Sequence, residues 1–141
     1  MPELPEVETT KLGLAPLLVG KKISAVKIRQ DQLRWPIASD LASQITGNRV
    51  QAVTRRGKYL LIGIGGGTLI VHLGMSGSLR LLRQATPPSK HDHVDINFAS
   101  GDQLRFNDPR RFGSLHFTTA PQEHWLLRHL GPEPLGDTFT A

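Results

Sequence analysis

The stretch VDINFASGDQLRF, residues 94–106, decides the fold. Val94, Ile96 and Phe98 alternate with Asp95 and Asn97, the two-residue period of a strand with one apolar face. Ser100-Gly101 then turns the chain into Leu104-Arg105-Phe106, so the stretch reads as an antiparallel hairpin. Working outward, Leu115 and Phe117 alternate with His116 and Thr118. Short apolar runs between glycine-rich turns recur at Ile23–Arg29, Val50–Thr54, Tyr59–Ile64, Thr68–Leu73 and Ser78–Leu82. So many short strands predict a mainly β protein, a two-layer antiparallel β-sandwich with flanking helices.

An N-terminal α-helix precedes the strands. Pro5 suits a first helical position, and Glu3, Glu6 and Glu8 suit the positive end of the helix dipole. Leu4, Val7, Leu14 and Leu18 recur at helical spacing, and the pattern ends near Gly20. A second short helix is predicted over Ser39–Ile45, with Ser39 as cap and Gly47 as stop. A third is predicted near His124–Leu130, before a linker-like Gly131-Pro132-Glu133-Pro134.

At 141 residues the chain fits one domain. It has no cysteine, which excludes disulfides and thiolate metal sites. No apolar run approaches the roughly 20 residues of a spanning helix, and the acidic start lacks the basic region of a signal peptide. A cytoplasmic protein without membrane contact is expected. The net charge of +5 and pI near 10.1 favour a polyanionic partner. Between Asp40 and Asp92 no acidic residue occurs, while Arg49, Arg55, Arg56, Lys58, Arg80, Arg83 and Lys90 all do. Such a run can neutralise phosphates, or can simply form a solvated basic face.

Pro2 is the first residue with chemical potential. Once the initiator methionine is removed it presents a secondary amine, and an α-amino group is partly neutral near pH 7. Such an amine can attack an anomeric carbon and form an iminium. Glu3 and Glu6, one helical turn apart, share a face and can divide proton delivery and removal, or merely complement the helix dipole. Asp92 between His91 and His93 is weak evidence for a metal site, and none is predicted.

The run PELPEVETT (2–10) resembles the start of bacterial formamidopyrimidine-DNA glycosylases. RRGKYLL (55–61), HLGMSGSLR (72–80), KHDHVD (90–95) and DPRRFG (108–113) match the same family in order. The resemblance runs to GPEPL at 131–135. It implies that Pro2 is the nucleophile of a Schiff-base intermediate, Glu3 the general acid at deoxyribose and Glu6 an accessory carboxylate. Lys58 would be the proton donor linked to β-elimination and a phosphate ligand. Met75, Arg110 and Phe112 would fill the gap left by an extruded base, Arg110 favouring an opposite cytosine. His72 and His91 would touch DNA, through phosphates.

The implied activity is base-excision repair. Oxidised purines, formamidopyrimidines and 8-oxoguanine among them, would be excised and the abasic site cleaved by an associated lyase. The alternatives are an endonuclease VIII-type enzyme for oxidised pyrimidines, a non-catalytic DNA-binding module or an inert excised domain. The partner the resemblance implies is double-stranded DNA with oxidised bases or abasic sites, met by a monomer associated with the nucleoid. The resemblance further assigns residues 1–135 to the N-terminal catalytic domain and 131–141 to the start of an interdomain linker. The family's helix–two-turn–helix domain and four-cysteine zinc finger are not in these 141 residues. No cofactor is expected in this chain, the family's structural zinc belonging to the finger. Weak DNA binding and feeble or absent glycosylase activity are expected of these residues alone.

Overall fold

The computed structural model describes residues 4–121 and 124–128. Helix α1 (Leu4–Leu18) opens on Pro5 and Glu6 and buries Val7, Leu14 and Leu18 along one stripe. Its outer face leaves Leu12 and Leu17 exposed, as is Val19 just beyond its end. The turn after it passes through Gly20 at φ +92°, a left-handed conformation that glycine adopts without steric cost. Helix α2 spans only Leu41–Ile45 and buries its two ends, an i, i+4 pair. Asp40 rather than Ser39 occupies its cap position, and no side chain completes the cap. The buried Leu41 and Ile45 hold this one turn in place, so tertiary packing stands in for capping.

Eight strands follow the predicted runs: β1 (Ile23–Ile28), β2 (Val50–Arg56), β3 (Tyr59–Ile64), β4 (Gly67–His72), β5 (Ser78–Leu82), β6 (Asp92–Phe98), β7 (Gln103–Asn107) and β8 (Ser114–Thr118). They form two four-stranded antiparallel sheets, ordered β1-β6-β7-β5 and β2-β3-β4-β8. Ile62, Leu69, Val71 and Leu115 from one sheet face Leu79, Val94, Ile96, Leu104 and Phe106 from the other. Helix α1 packs on β2 and also touches β3 and β5. The predicted two-layer sandwich preceded by a helix is the observed architecture.

Two local expectations give way. Asp95 and Asn97 mark the polar half of the alternation, yet β6 is covered on that face as well, and Asp95 is fully buried. Its carboxylate accepts hydrogen bonds from Arg105 Nε (2.9 Å) and Nη2 (3.1 Å) and pairs with Arg29 Nη2 (2.5 Å). Arg105 also donates to the Thr86 carbonyl (2.6 Å), which draws the segment after β5 over the sheet. The third predicted helix is, over residues 124–128, a set of turns in which the Leu127 and Arg128 amides donate to the His124 carbonyl. The rest of that stretch, with the linker at 131–141, lies outside the described residues.

Candidate functional site

Two loops meet at one end of the sandwich. Residues 73–77 join β4 to β5 and carry Met75, and residues 108–113 join β7 to β8 and carry Arg110 and Phe112. Gly74 has φ +68°, and a Cβ there would stand 2.6 Å from Gly113 N and 2.7 Å from the Phe112 carbonyl carbon. At Gly113 a Cβ would meet the His72 carbonyl oxygen at 2.5 Å. The glycines of HLGMSG and DPRRFG are therefore required by one backbone-to-backbone approach. Met75 and Phe112 remain 46% and 44% exposed although Gly74, Gly113 and Asp108 beside them are buried. Arg110 Nη1 lies 3.8 Å from Met75 Sδ. Two exposed apolar side chains and a guanidinium thus share one tip.

Asp108, wholly buried, stands behind that tip. Its carboxylate accepts hydrogen bonds from Gly113 N (2.8 Å) and Ser76 Oγ (3.3 Å), and its carbonyl faces His93 Nε2 at 2.7 Å. The Asp108 amide donates to the His91 carbonyl at 3.1 Å, which brings half-buried His91 to the base of the same loop.

Lys58 occupies the turn between β2 and β3 and is exposed. In the adjoining register Tyr59 pairs with His72, their rings 5.2 Å apart. His72 Nδ1 accepts a hydrogen bond from Gly74 N (3.2 Å), the residue before Met75. Burial lowers the His72 pKa, the charges of Lys58 and Arg34 lower it further, and Asp108 opposes them. At neutral pH His72 is therefore an uncharged ring, and the bond that Nδ1 accepts from Gly74 places its proton on Nε2. Lys58, His72 and the Met75 tip form one continuous edge.

Helix α1 is tied to this edge. Arg55, with 3% of its side chain exposed, pairs with Glu8 through Nε (2.6 Å) and donates through Nη1 to the Gly57 carbonyl (3.0 Å), beside Lys58. The Arg55 hydrogen bond, then that of Lys11, holds the Glu8 carboxyl below its usual range. Glu6 is exposed in the first turn of α1. Pro2 and Glu3, the expected nucleophile and acid, lie outside the described residues.

Sequence reasoning passed over part of the site. Arg34, Trp35 and Trp125 line a cleft of about 550 Å³ together with Tyr59, His72, Met75 and Phe112. The two indoles meet edge to face at 5.1 Å, Arg34 lies over Trp35 at 5.4 Å, and the Arg34 amide donates to the Gly113 carbonyl. The available signal was an Arg-Trp pair in a segment without periodicity, where an exposed indole has no core to serve. The basic run needs correction too. Arg55 is buried and paired, Arg49 Nη1 donates to the Gly20 carbonyl, and Arg80 lies on the other sheet. Cations contiguous in sequence are not one face in space.

Asp92 is not poised for a metal. Its carboxylate accepts from Ser89 N (2.7 Å), Ser89 Oγ (2.8 Å) and Asn107 Nδ2 (2.8 Å). Among the described residues no group of three or more His, Asp or Glu side chains could hold a metal ion. Nor is any helix among them long and apolar enough to cross a membrane.

Comparison with known proteins gives a consistent result. Residues 1–115 match the family described as formamidopyrimidine-DNA glycosylase N-terminal domain. The formamidopyrimidine-DNA glycosylase of Pseudomonas paraeruginosa is 59% identical over all 141 residues, which cover 52% of that protein. That of Acidithiobacillus ferrooxidans is 53% identical over the same span, again 52% of its length. The chain thus spans about half the length of these relatives. Among solved structures, the Lactococcus lactis enzyme non-covalently bound to DNA containing an abasic site superposes with TM-score 0.84. It is 37% identical, and the match covers 97% of this chain and 54% of that one. A related protein in complex with DNA containing carbocyclic 8-oxoguanine superposes at 0.79 with 37% identity, over 86% of this chain and 46% of that one.

Proposed function

The chain belongs to the formamidopyrimidine-DNA glycosylase N-terminal domain family, and on that premise we propose that it carries the catalytic machinery of a base-excision DNA glycosylase. Oxidised purines in duplex DNA, formamidopyrimidines and 8-oxoguanine among them, are its substrates, and it acts in the bacterial cytoplasm where the chromosome lies. Pro2 attacks C1′ of the damaged nucleotide, and the base departs with the glycosidic electron pair. Glu3 protonates the ring oxygen as the iminium forms, and Glu6 serves as an accessory carboxylate. Loss of a C2′ proton to solvent then breaks the C3′–O bond and expels the 3′ phosphate, with Lys58 as the proton donor linked to this elimination and the cation that holds that phosphate. An extruded base leaves a gap that costs a few kcal/mol in lost stacking. Met75 and Phe112 are apolar wedges for that gap, Arg110 is a donor for the orphaned base, and His72 and His91 contact phosphates.

The observation that carries this reading is the tip itself. Two exposed apolar side chains and an arginine are held on glycine-built loops, and one turn of backbone separates Met75 from His72 and the Lys58 edge. A soluble domain gains no stability from presenting such groups to water. The experiment is borohydride trapping on an abasic-site duplex, comparing this chain, with loss of Met1 verified by mass spectrometry, with Pro2→Gly. An adduct formed by the former alone is expected. No adduct from a preparation with a free Pro2 amine, at low salt and a protein concentration where the duplex is shown to be bound, refutes the mechanism. Binding is expected to be weak and strongly salt-dependent, because these residues supply only part of the phosphate contacts that a protein twice as long can make.

A further inference from the structure

We propose that Asp108 is a positioning residue for lesion recognition, locking the Met75 loop and the Arg110–Phe112 loop into one rigid wedge. The proposal rests on the glycosylase reading and deepens it. Asp108 touches no substrate in this arrangement, being fully buried. Both carboxylate oxygens are nevertheless spent on the site loops, one on Gly113 N at 2.8 Å and the other on Ser76 Oγ at 3.3 Å. Gly113 follows Phe112 directly, and Ser76 follows Met75. A single side chain therefore bridges the residues next to both apolar wedges.

The main chain of Asp108 adds three further ties. Its carbonyl is 2.7 Å from His93 Nε2 and accepts from Arg111 N at 3.2 Å, and its amide donates to the His91 carbonyl at 3.1 Å. Arg111 itself sits at φ +57°, a left-handed conformation costly for a side-chain-bearing residue. The loop is bent sharply there, and the bonds to Asp108 on either side hold the bend. An anionic acceptor suits the role, since charge-assisted hydrogen bonds are shorter and stronger than neutral ones. A wedge that must enter a base stack at a cost gains from being rigid beforehand, because ordering it during binding would subtract from affinity.

The test compares this chain with Asp108→Asn and Ser76→Ala, measuring fluorescence anisotropy on an abasic-analogue duplex and on an undamaged duplex at low salt. Undamaged DNA is held through phosphates, so its affinity is expected to stay within about twofold in both variants. Preference for the abasic duplex is expected to fall about tenfold in Asp108→Asn, the scale of one charge-assisted hydrogen bond. In Ser76→Ala, which removes only the longer bond, a loss of roughly two- to threefold is expected. Unchanged preference in a folded Asp108→Asn overturns the proposal, and so does an equal loss on both duplexes, which would mark a purely structural role. Should Asp108→Asn not fold, Ser76→Ala decides, and full retention of preference there overturns it. Absence of any preference in the unsubstituted chain refutes instead the glycosylase reading, and the proposal with it.

Discussion

Replacing Gly74 by alanine tests the central geometric claim, that the two site loops touch backbone to backbone. Two costs add. At φ +68° an alanine is strained whatever the space around it, by about 1–2 kcal/mol. Its Cβ would also stand 2.6 Å from Gly113 N and 2.7 Å from the Phe112 carbonyl carbon, backbone atoms that cannot rotate away. Forcing a methyl group into such a space costs a further ~1–3 kcal/mol. Gly101 supplies the control. It has φ +96° in the β6–β7 turn, and nothing lies within 4 Å of the place a methyl group would take, so Gly101→Ala bears the strain alone. Urea unfolding should therefore show both variants destabilised, Gly74→Ala by a margin of about 1–3 kcal/mol over Gly101→Ala. With a urea slope of about 1–3 kcal/mol per molar for a small domain, the midpoints should differ by roughly 1 M at unchanged slope. Equal midpoints would refute the close approach, and with it the explanation of why both loops carry glycine there.

Two other expectations follow from the same structure. Phe112→Ala should leave the urea midpoint almost unmoved, since the ring is 44% exposed, while preference for abasic over intact duplex falls about tenfold by anisotropy, and a comparable loss of stability would mean the ring is core. Acid should weaken the fold through Asp92. Burial pushes its carboxyl up, but hydrogen bonds from Asn107 and Ser89 and the charge of Arg105 outweigh that and hold it at about 2, against 3.8 ordinarily. A carboxyl depressed in the folded state contributes stability that is complete above the unfolded pKa and lost as pH falls through the folded one. Between pH 5 and 2 the urea stability should thus decline. Asp92→Asn should remove on the order of 1 kcal/mol of that decline once solvent screening is allowed for, and an unchanged pH profile would reject the assignment.

The strands were legible because period-two alternation and glycine-rich turns are local properties of the chain. The β6–β7 hairpin around Gly101 could be read directly, whereas Met75, Arg110 and Phe112 were singled out by the family resemblance of the HLGMSGSLR and DPRRFG runs. What escaped is what depends on distant partners. Asp95 reads as solvent-facing until Arg29 and Arg105 arrive from β1's end and β7 to bury it. Asp108 sits in the quoted DPRRFG run, but its partner Ser76 is 32 residues away, a separation no pattern reports. Arg34 and Trp35 lie in a stretch with no period, and only the fold brings Gly113 and Trp125 to them. The basic run misleads for the mirror-image reason. Proximity along the chain suggests a shared surface, whereas β2 carries Arg55 inward and β5 carries Arg80 to the other sheet.

These facts also explain why a β-sandwich suits the proposed chemistry. The reacting sugar and the emptied stack must be served at once, by a cation on one side and a wedge on the other. A hairpin sheet places the two a fixed distance apart, since Tyr59 beside Lys58 is paired in register with His72, and His72 is bonded to the amide of Gly74. A misplacement of about 1 Å between such groups costs on the order of a hundredfold in rate. Loops free to sample conformations could not keep that spacing. Here β4 fixes one end, the glycine contact removes the slack between the loops, and Asp108 closes the remaining side. Burial and the nearby charges of Lys58 and Arg34 keep His72 neutral, so Lys58 stands on this edge without a second full charge on the ring beside it.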